Sequence, residues 1–389
     1  MWKKWTRPQR TMIGLLFFLV VFAGVLIIFN AQIHRVPLRP NGGAQFTKAT
    51  VVKVISSDVG QDENGEMQGN QDVQLKITSG PYQGKICEAK SPYANHAGAY
   101  CVPGMKVIAL VNISSNGELV ASVYNYDRSL MLWILVGLFF LILCTIGGKK
   151  GITSSVALAF TFVCIIFLYI PMMYVGVSPF LAASLTAVLV TIVTMLLIGG
   201  WSVKSFCSIL GTAAGILVAG LVAQIFGYFS HISGLNVSEI ETLAYISQNS
   251  RLDVGGVLYS GILISSLGAV MDVSMSVAST IAEIHETNPL FTAKQLFQSG
   301  MRVGKDMMGT MATTLILAYA GGSINTLIIL YSYSMSYLQF MNGYEIGIEI
   351  LSGISGSIGV ILAVPFVSAV SSFWMAKQGK KPLTVKQHK

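Results

Sequence analysis

The chain has 389 residues, of which 53% are hydrophobic and only 11% are charged, and its formal net charge is +8. A mean hydropathy of +0.65 is higher than soluble domains reach, and several apolar runs extend over 18 residues or more. These features exclude an ordinary soluble protein and predict a multi-pass membrane protein. The positive charge is accounted for by membrane topology, so it does not call for a nucleic-acid partner.

Eight apolar segments are long enough to cross the bilayer, since a helix needs about 20 residues for a hydrocarbon core of about 30 Å. The first follows the basic sequence MWKKWTRPQR, and its apolar part is longer than that of a cleaved signal peptide, which favours an uncleaved anchor. The expected fold class is an all-α polytopic membrane protein with about eight transmembrane helices. The segments are 12–30, 130–147, 152–170, 179–199, 206–227, 254–273, 308–331 and 350–374.

The region between the first two helices has a different character. The runs ATVVKVIS, DVQLKIT, MKVIALVNI and ELVASVYNY are rich in Val and Ile and are separated by Gly, Pro, Asn and Asp. Five or six such strands predict a small β-rich barrel of the OB or SH3-like type, which either binds a ligand or partner, caps a pore, or is a rigid decoration. The predicted domains are 1–30 (cytoplasmic tip and first helix), 31–128 (β domain), 129–375 (seven-helix domain) and 376–389 (basic tail).

The few cysteine and histidine residues of the β domain do not form a recognisable metal-binding or catalytic motif. Cys87 and Cys101 are its only cysteines, so a disulfide between them is one alternative in an oxidising compartment. The acidic stretch SDVGQDENGEMQGNQD lacks the spacing of a calcium loop, and His96 has no further His or Cys ligands nearby. We therefore expect neither a metal site nor a cofactor.

The distribution of Lys and Arg predicts the orientation of the chain. If the N-terminus is cytoplasmic and eight helices alternate, the short outer loops contain only Arg251, and the other basic residues of the short loops and termini lie inside. This is the pattern of the positive-inside rule. We expect both termini to be cytoplasmic and residues 31–128 to be extracytoplasmic.

The sixth predicted helix carries a polar stripe. In GAVMDVSMSVASTIAEIHE and the residues before it, small and polar side chains recur every three or four positions, so they share one helical face. Asp272 lies near the inner end of the apolar run, where a buried carboxylate needs a partner, a cavity or water. The stripe consists of Gly261, Ser265, Gly268, Asp272, Ser276, Ser279, Glu283 and Glu286.

Basic partners for Asp272 are available at the start of the next helix, SGMRVGKDMMGTMATT. We hypothesise an ion pair between Asp272 and Lys305 or Arg302, which would keep Asp272 ionised as a lock. A buried, unpaired Asp272 would instead be a candidate proton carrier, and a third alternative is that Asp272 is simply hydrated at the interface. Asp306 lies beside these groups.

Two later features suggest broken helices. Gly321-Gly322-Ser323 and Asn325 fall well inside the seventh predicted helix, and Pro365 is expected to interrupt the eighth. Broken helices at membrane depth occur where backbone lines a cavity, and in transporters they often form the binding site. Glu345 and Glu349 precede the eighth helix and are expected to form a solvated face.

Enzyme motifs are weak in this chain. Gly353-Ile354-Ser355-Gly356 matches the GxSG of intramembrane serine proteases, but none of the five histidines lies in a predicted helix core. There is no P-loop and no dinucleotide fingerprint. We therefore expect a protein that is not an enzyme and uses no nucleotide.

Two blocks carry a resemblance to a known family. LGAVMDVSMSVASTIAEI and RVGKDMMGTMATTLILAYAGGS resemble the YibE/F-like family of bacterial multi-pass membrane proteins, over roughly residues 130–375. The resemblance implies a bacterial cytoplasmic membrane protein and a permease as one role, and it assigns no residue a function.

These observations lead to two functional hypotheses. The first is a secondary transporter or permease with a polar path along helices six to eight; the second is a membrane scaffold or sensor whose outer β domain binds a ligand or partner. The lipid bilayer is the expected partner, with a second copy or another membrane subunit as a candidate. The candidate path or gate residues are Asp272, Ser276, Ser279, Glu283, Arg302, Lys305, Asp306 and Asn325.

Overall fold

A computed structural model describes residues 7–33, 44–61, 65–94, 97–114, 119–237 and 239–378. The chain divides into two compact units, which are taken separately below. The β unit is Arg35–Leu143, and the helical unit is Met1–His34 with Cys144–Lys389. His96 and the basic tail beyond residue 378 lie outside the described residues.

The β unit contains a closed barrel, as the sequence predicted. Around it, β1, β2 and β3 are antiparallel neighbours, β5 pairs antiparallel with both β1 and β6, and β3 and β6 are parallel. Five long strands make up the wall, and the two-residue β4 is inserted between β3 and β6. The strands are β1 (Gln45–Gln61), β2 (Met67–Ile77), β3 (Ile86–Ala94), β4 (Ala97–Gly98), β5 (Lys106–Ile113) and β6 (Leu119–Tyr126).

Alternating apolar residues build the barrel core. Val73, Leu75 and Ile77 of β2 are fully buried, while the intervening Lys76 is exposed, as period-two alternation requires. At β4 the backbone approaches β3 so closely that a Cβ on Gly98, whose φ is +76°, would lie 1.4 Å from a β3 carbonyl oxygen. Only glycine fits this position.

The helical unit is built from long apolar helices. In the part of the chain that is described, the helices are α1 (Arg7–Ala31), α2 (Ser129–Cys164, beginning in the β unit), α3 (Ile170–Tyr174), α4 (Pro179–Gly199), α5 (Val203–Phe229), α6 (Ile240–Gln248), α7 (Val257–Thr287), α8 (Ala293–Gly322), α9 (Ile324–Ser332), α10 (Tyr337–Met341) and α11 (Tyr344–Gln378). A π-helical turn, Ile165–Tyr169, joins α2 to α3.

Five continuous described helical segments are long and apolar enough to cross a membrane, and the bent pair α8–α9 makes six. One of the five, Ser129–Tyr174, has 46 residues, and Gly148 interrupts it with φ 53° and ψ −132°. At about 1.5 Å per residue this segment is twice as long as one crossing needs. The protein is thus an integral membrane protein, while the number of eight helices stays a prediction.

Small residues set the helix packing. A Cβ on Gly215 of α5 would lie 2.9 Å from the carbonyl oxygen of Gly359 on α11, so these two backbones are in contact. Such contacts are the usual way for helices to associate in lipid. The prediction that Pro365 interrupts its helix is wrong, because α11 is continuous through this residue. Membrane helices tolerate proline where neighbouring groups satisfy the freed backbone.

Candidate functional site

The polar stripe of α7 lies on the face that its neighbours leave uncovered. The opposite face packs on α5, where Val270 contacts Gly215, and the backbone carbonyl of Ser274 accepts a hydrogen bond from Ser208 at 3.3 Å. A Cβ on Gly261 or Gly268 would meet no atom within 4 Å. The exposed stripe residues are Gly261, Ser265, Gly268, Asp272, Glu283 and Glu286, while Ser276 and Ser279 are half-buried.

The neighbouring helix α8 also has an exposed polar face. Its opposite side is tightly packed, since a Cβ on Gly304 would lie 2.2 Å from Val364 of α11. The threonine hydroxyls on the exposed face donate to carbonyls of their own helix at 2.9 Å, so their polarity is partly satisfied internally. This face consists of Arg302, Lys305, Asp306, Gly309, Thr310, Thr313 and Thr314.

The hypothesised ion pair of Asp272 does not form. Among the described residues, Asp272 has no ion pair with Lys305 or Arg302. The reason is the register of the antiparallel pair α7–α8, which two contacts fix: Ser265 with Tyr319 on one side, and Ile281 with Gly300 on the other. Asp272 then lies near the level of residue 311, about six residues or about 9 Å along α8 from Lys305.

The other predicted path residues are spread along α7, α8 and α9, and the register puts Ser276 near the level of Asp306 and Ser279 near that of Arg302. Glu283 lines a shallow pocket of about 340 Å³ at the end of α7, together with Thr280 and Phe291. Asn325 is exposed on α9. The stripe residues follow one face of α7 from Gly261 to Glu286, as predicted, and they do not form a single compact site.

A polar cluster that the sequence did not reveal lies where α8 breaks. α8 and α9 meet at Ser323 with a bend of 63°, close to the predicted break. The Ser323 hydroxyl donates to Oε1 of Glu349 on α11, and the hydroxyls of Tyr319 and Ser265 are hydrogen bonded to each other. Tyr319 is close enough to Glu349 for the carboxylate to act on it electrostatically. We call Ser265, Tyr319, Ser323 and Glu349 the break cluster.

Glu349 differs from the solvated face that was predicted for it. Glu345 is exposed, but Glu349 is half-buried, and its Oε2 is buried with no hydrogen-bond partner among the described residues. The cause is the start of the last helix. α11 begins at Tyr344, six residues before the predicted start, so Glu349 lies within the packed helix. The predicted apolar segment began at residue 350, so Glu349 was placed outside the helix and its position inside α11 was not recognised.

The two barrel cysteines are free thiols in this structure. Both are buried, the Cys101 sulfur lies 3.4 Å from the Ser91 hydroxyl, and the Cys101 amide donates to Oε1 of Gln71 at 2.6 Å. Burial raises the pKa of the Cys87 and Cys101 thiols above the ordinary value. The disulfide alternative is therefore not formed here, and Cys101 is held by polar contacts of its own.

Ser355, the serine of the GxSG match, is not hydrogen bonded to a base among the described residues. Ser355 is buried and lines a largely apolar pocket of about 600 Å³, whose lining also includes His231. No hydrogen bond joins the two side chains in the described chain, so the hydrogen-bonded pair of nucleophile and base that marks an activated serine is not formed here. Within the same residues, no group of three or more His, Cys, Asp or Glu side chains is placed to hold a metal ion.

Comparisons with known proteins bear on the helical unit. The model of the family described as YibE/F-like protein matches residues 135–377, which include α4 to α10, all but the last residue of α11, and both polar faces. No curated protein and no solved structure matches the chain. Because the match covers more than half of the sequence, the chain belongs to the YibE/F-like family.

Proposed function

We propose that the protein is a secondary transporter or channel-like permease of the bacterial cytoplasmic membrane, with a polar path along α7, α8 and α11. The observation that carries this proposal is the exposed polar face of α7. Many large apolar side chains are exposed elsewhere on the unit, whereas Gly261, Ser265, Gly268 and Asp272 leave this face polar. A charged Asp at the centre of a membrane helix costs about 2.5–3.5 kcal/mol on insertion scales, so this face should meet water or protein rather than lipid.

The break cluster supports the same function. A helix broken inside the membrane is tolerated where it is covered by protein or lines a cavity, and transporters use such breaks to bind substrate or ions. Here the break at Ser323 contacts a carboxylate on α11, and Tyr319 links it to the α7 stripe through Ser265. The path would therefore run from the break cluster along α7 towards Asp272.

We propose that a second copy of the chain completes this path. The polar faces of α7 and α8 lie on the surface of the helical unit, so a single copy leaves them open. The α8 face and Asp272 together carry two acidic and two basic side chains, which form no ion pair within the described chain. A two-fold or cyclic assembly can pair them across copies, because such a surface is self-complementary in charge.

The proposed topology has eight crossings. Ser129–Tyr174 supplies two, separated at Gly148, and the bent pair α8–α9 supplies one. With α1, α4, α5, α7 and α11 the number is eight. The N-terminus is assigned to the cytoplasm and the barrel to the extracytoplasmic side from the positive-inside pattern.

The barrel provides the observation for a second candidate function. The order β1-β2-β3-β6-β5 with a parallel β3–β6 pair supports an OB-type barrel, a fold that often binds ligands on its open face. In this alternative the protein is a scaffold or sensor, the barrel binds a ligand or partner, and the helices are an anchor. The two candidates differ in whether water reaches the α7 stripe.

Cysteine accessibility along α7 tests the proposal. In a variant with Cys144, Cys164 and Cys207 replaced, single substitutions Gly261→Cys, Ser265→Cys, Gly268→Cys and Asp272→Cys are labelled with a membrane-impermeant maleimide in intact cells and inverted vesicles. Leu217→Cys on α5, an exposed apolar position, is the matched lipid-facing control. Labelling that extends to 265 or 261, with the control unlabelled, supports a water-filled path.

Labelling confined to position 272 would reject the conduit and favour the scaffold. Oxidative cross-linking of the same single-cysteine variants tests the second copy separately. Cross-linked dimers at 268 but not at the Leu217→Cys control are expected, and their absence would reject the assembly without rejecting the path.

A further inference from the structure

The pocket of about 600 Å³ that Ser355 lines lies between α5 and α11, at the end where α5 finishes at Phe229 and α11 starts at Tyr344. We call it the α5–α11 pocket. Its volume is typical of a small-molecule site, which measures about 300–1,000 Å³. Of the described residues that line it, none belongs to the break cluster or to the predicted path residues, so the pocket is separate from the proposed path.

Direct contacts fix the walls of the pocket. The turn after α5 is held by Tyr259 of α7, whose hydroxyl donates to the carbonyl of Ile232 at 2.6 Å. The same turn contacts α11, since a Cβ on Gly347 would lie 2.5 Å from Cδ1 of Ile232. The pocket is thus largely pre-formed, as small-molecule sites usually are.

The long side of the pocket is apolar. Along α11 its lining runs from Gly347 to Ile358, and Ser355 is the single polar side chain among the described lining residues of this stretch. The rise from residue 347 to residue 358 is about 16 Å, close to the about 15 Å that one leaflet contributes to a hydrocarbon core of about 30 Å. The lining therefore has the length of one acyl chain of a membrane lipid.

The pocket opens sideways onto the apolar surface of the helical unit. Phe226 of α5 and Ile354 of α11 both line it, and they are 57% and 46% exposed. Exposed apolar side chains continue along both helices, at Leu221 and Ile361. Because the unit is embedded in the bilayer, a lipid is the molecule that reaches this opening. Apolar walls alone give little preference over the bilayer, since lipid tails are equally apolar, so specific binding needs polar contacts at the head group.

Polar groups at the end of the pocket supply donors for such contacts. Ser230 and His231 line it there, and neither side chain has a hydrogen-bond partner among the described residues. A serine hydroxyl can donate, and an imidazole has at least one N–H donor in either protonation state. The first N–H groups of α11 have no partner within their helix, and the helix dipole favours an anionic group beside them. Glu345 is exposed nearby but does not line the pocket. These donors fit a phosphate.

The backbone places His231 at this end. It has φ 54°, a left-handed conformation, and the turn is closed by a hydrogen bond from the N–H of Ile232 to the carbonyl of Gly227 at 2.9 Å. Glycine adopts this helix-ending turn most readily. Replacing His231 with glycine therefore removes the imidazole and leaves the turn intact.

We propose that the α5–α11 pocket binds one phospholipid from the surrounding bilayer. One acyl chain lies along α11 from Gly347 to Ile358, and the phosphate accepts hydrogen bonds from Ser230 and His231. This inference goes beyond the transport proposal, because it rests on the membrane insertion of the helical unit and on the pocket alone.

The experiment uses the purified full-length protein in detergent micelles. The probe is a phosphatidylglycerol with a diazirine at the end of one acyl chain, and after irradiation the labelled peptides are identified by mass spectrometry. We expect labelling of the peptides around Val222 and Ile358 to saturate at about one probe per chain and to be competed by unlabelled phosphatidylglycerol. A fatty acid of the same length, which has no phosphate, should compete less well.

Two substitutions on the exposed side of α11 test the place of the chain. Ile354→Trp fills the pocket and should abolish the saturable labelling. Ile361→Trp is the matched control, because Ile361 is exposed two turns further along the same helix and does not line the pocket. It should be labelled like wild type.

His231→Gly tests the place of the phosphate, and it remains informative if Ile354→Trp does not fold. It should weaken probe binding about tenfold, because a hydrogen bond to a charged group is lost, without lowering the maximal labelling. The proposal is overturned if labelling of the pocket peptides in wild type does not saturate, if Ile354→Trp is labelled like wild type, or if His231→Gly binds the probe as tightly as wild type.

Discussion

The two units of this protein differ in the side chains that they expose. The barrel buries large apolar side chains such as Leu75 and Val107 and exposes polar ones such as Lys76. The helical unit also buries large apolar side chains such as Leu263, but it buries glycine and hydroxyl residues such as Ser208 beside them and exposes apolar side chains such as Leu217. Water around one unit and lipid around the other explain the difference, since helix association in lipid relies on close packing of small residues.

The comparison shows where the helical unit departs from its own rule. A lipid-exposed face should be apolar, yet α7 exposes Asp272 and Ser265, and α8 exposes Lys305 and Thr313. These faces are not apolar, as a lipid-exposed surface should be, and their small and polar residues are not buried in helix contacts. Such departures are expected at functional sites, where stability is given up for a task. This is why the proposed path lies on α7 and α8 rather than among the tightly packed helix pairs.

The largest stability effect is expected in the barrel core. Leu75→Ala should destabilise the barrel by about 2–5 kcal/mol, because the fully buried side chain leaves a cavity. Val120→Ala, at a position that is 54% exposed, is the control and should cost far less. Hydrogen exchange of barrel peptides in the full-length protein reads out both changes. Equal protection in the two variants would show that the barrel is not stabilised by its apolar core.

A smaller effect is expected from filling a helix contact in the membrane. Gly215→Leu should destabilise the helical unit by about 1–3 kcal/mol or more, since even a Cβ there would lie 2.7 Å from Val270. Gly137→Leu on the exposed surface of α2 is the control, because a Cβ there meets no atom within 4 Å.

Thermal unfolding in nanodiscs compares the two variants. Gly268→Leu on the α7 stripe is measured beside them, and a loss of stability there, with Gly137→Leu unaffected, is expected if a second copy covers the stripe. Equal stability of Gly215→Leu and wild type would contradict the close contact between α5 and α11.

Local sequence patterns account for what could be predicted. Runs rich in Val and Ile between turn residues revealed the barrel strands, and the spacing of three and four placed Gly261 to Glu286 on one face of α7. These predictions needed no knowledge of neighbouring helices.

Long-range register accounts for what was missed. The pairing of Asp272 with Lys305 failed because the level of one helix against the next depends on the turn and the tilt, which composition does not encode. Glu349 was missed because the apolar window began after it, and its partners Ser323 and Tyr319 come from another helix. A disulfide between Cys87 and Cys101 was one alternative because they are the only cysteines of the β domain, but both are free thiols in the structure.

The burial rule of the barrel can be tested through its thiols. Cys87 and Cys101 should react slowly with a soluble thiol reagent at neutral pH, since burial raises the pKa of both thiols and the Cys101 residue is 1% exposed. In a variant lacking Cys144, Cys164 and Cys207, labelling should remain slow until denaturant is added. Labelling of either barrel cysteine at the rate of a free peptide thiol would contradict the buried core.

The smallest expected effect lies at the polar edge of the barrel unit. Asp127 accepts hydrogen bonds from the Ser129 hydroxyl at 2.5 Å and is paired with Lys48 at 3.1 Å, and these contacts hold its pKa below the ordinary value. Its side chain is 8% exposed, whereas that of Lys48 is 52% exposed, so water screens the pair and its contribution should stay below about 1 kcal/mol.

The sign of the pH dependence follows from the lowered pKa. A carboxylate whose pKa is depressed on folding stabilises the folded state above the unfolded pKa of about 4, and this contribution is lost as pH falls through the lower folded value. Asp127→Asn should therefore reduce barrel protection in hydrogen exchange slightly at pH 7, and the gap to wild type should close towards pH 3. A gap that persists unchanged at pH 3 would assign the effect to the Ser129 hydrogen bond geometry rather than to the charge.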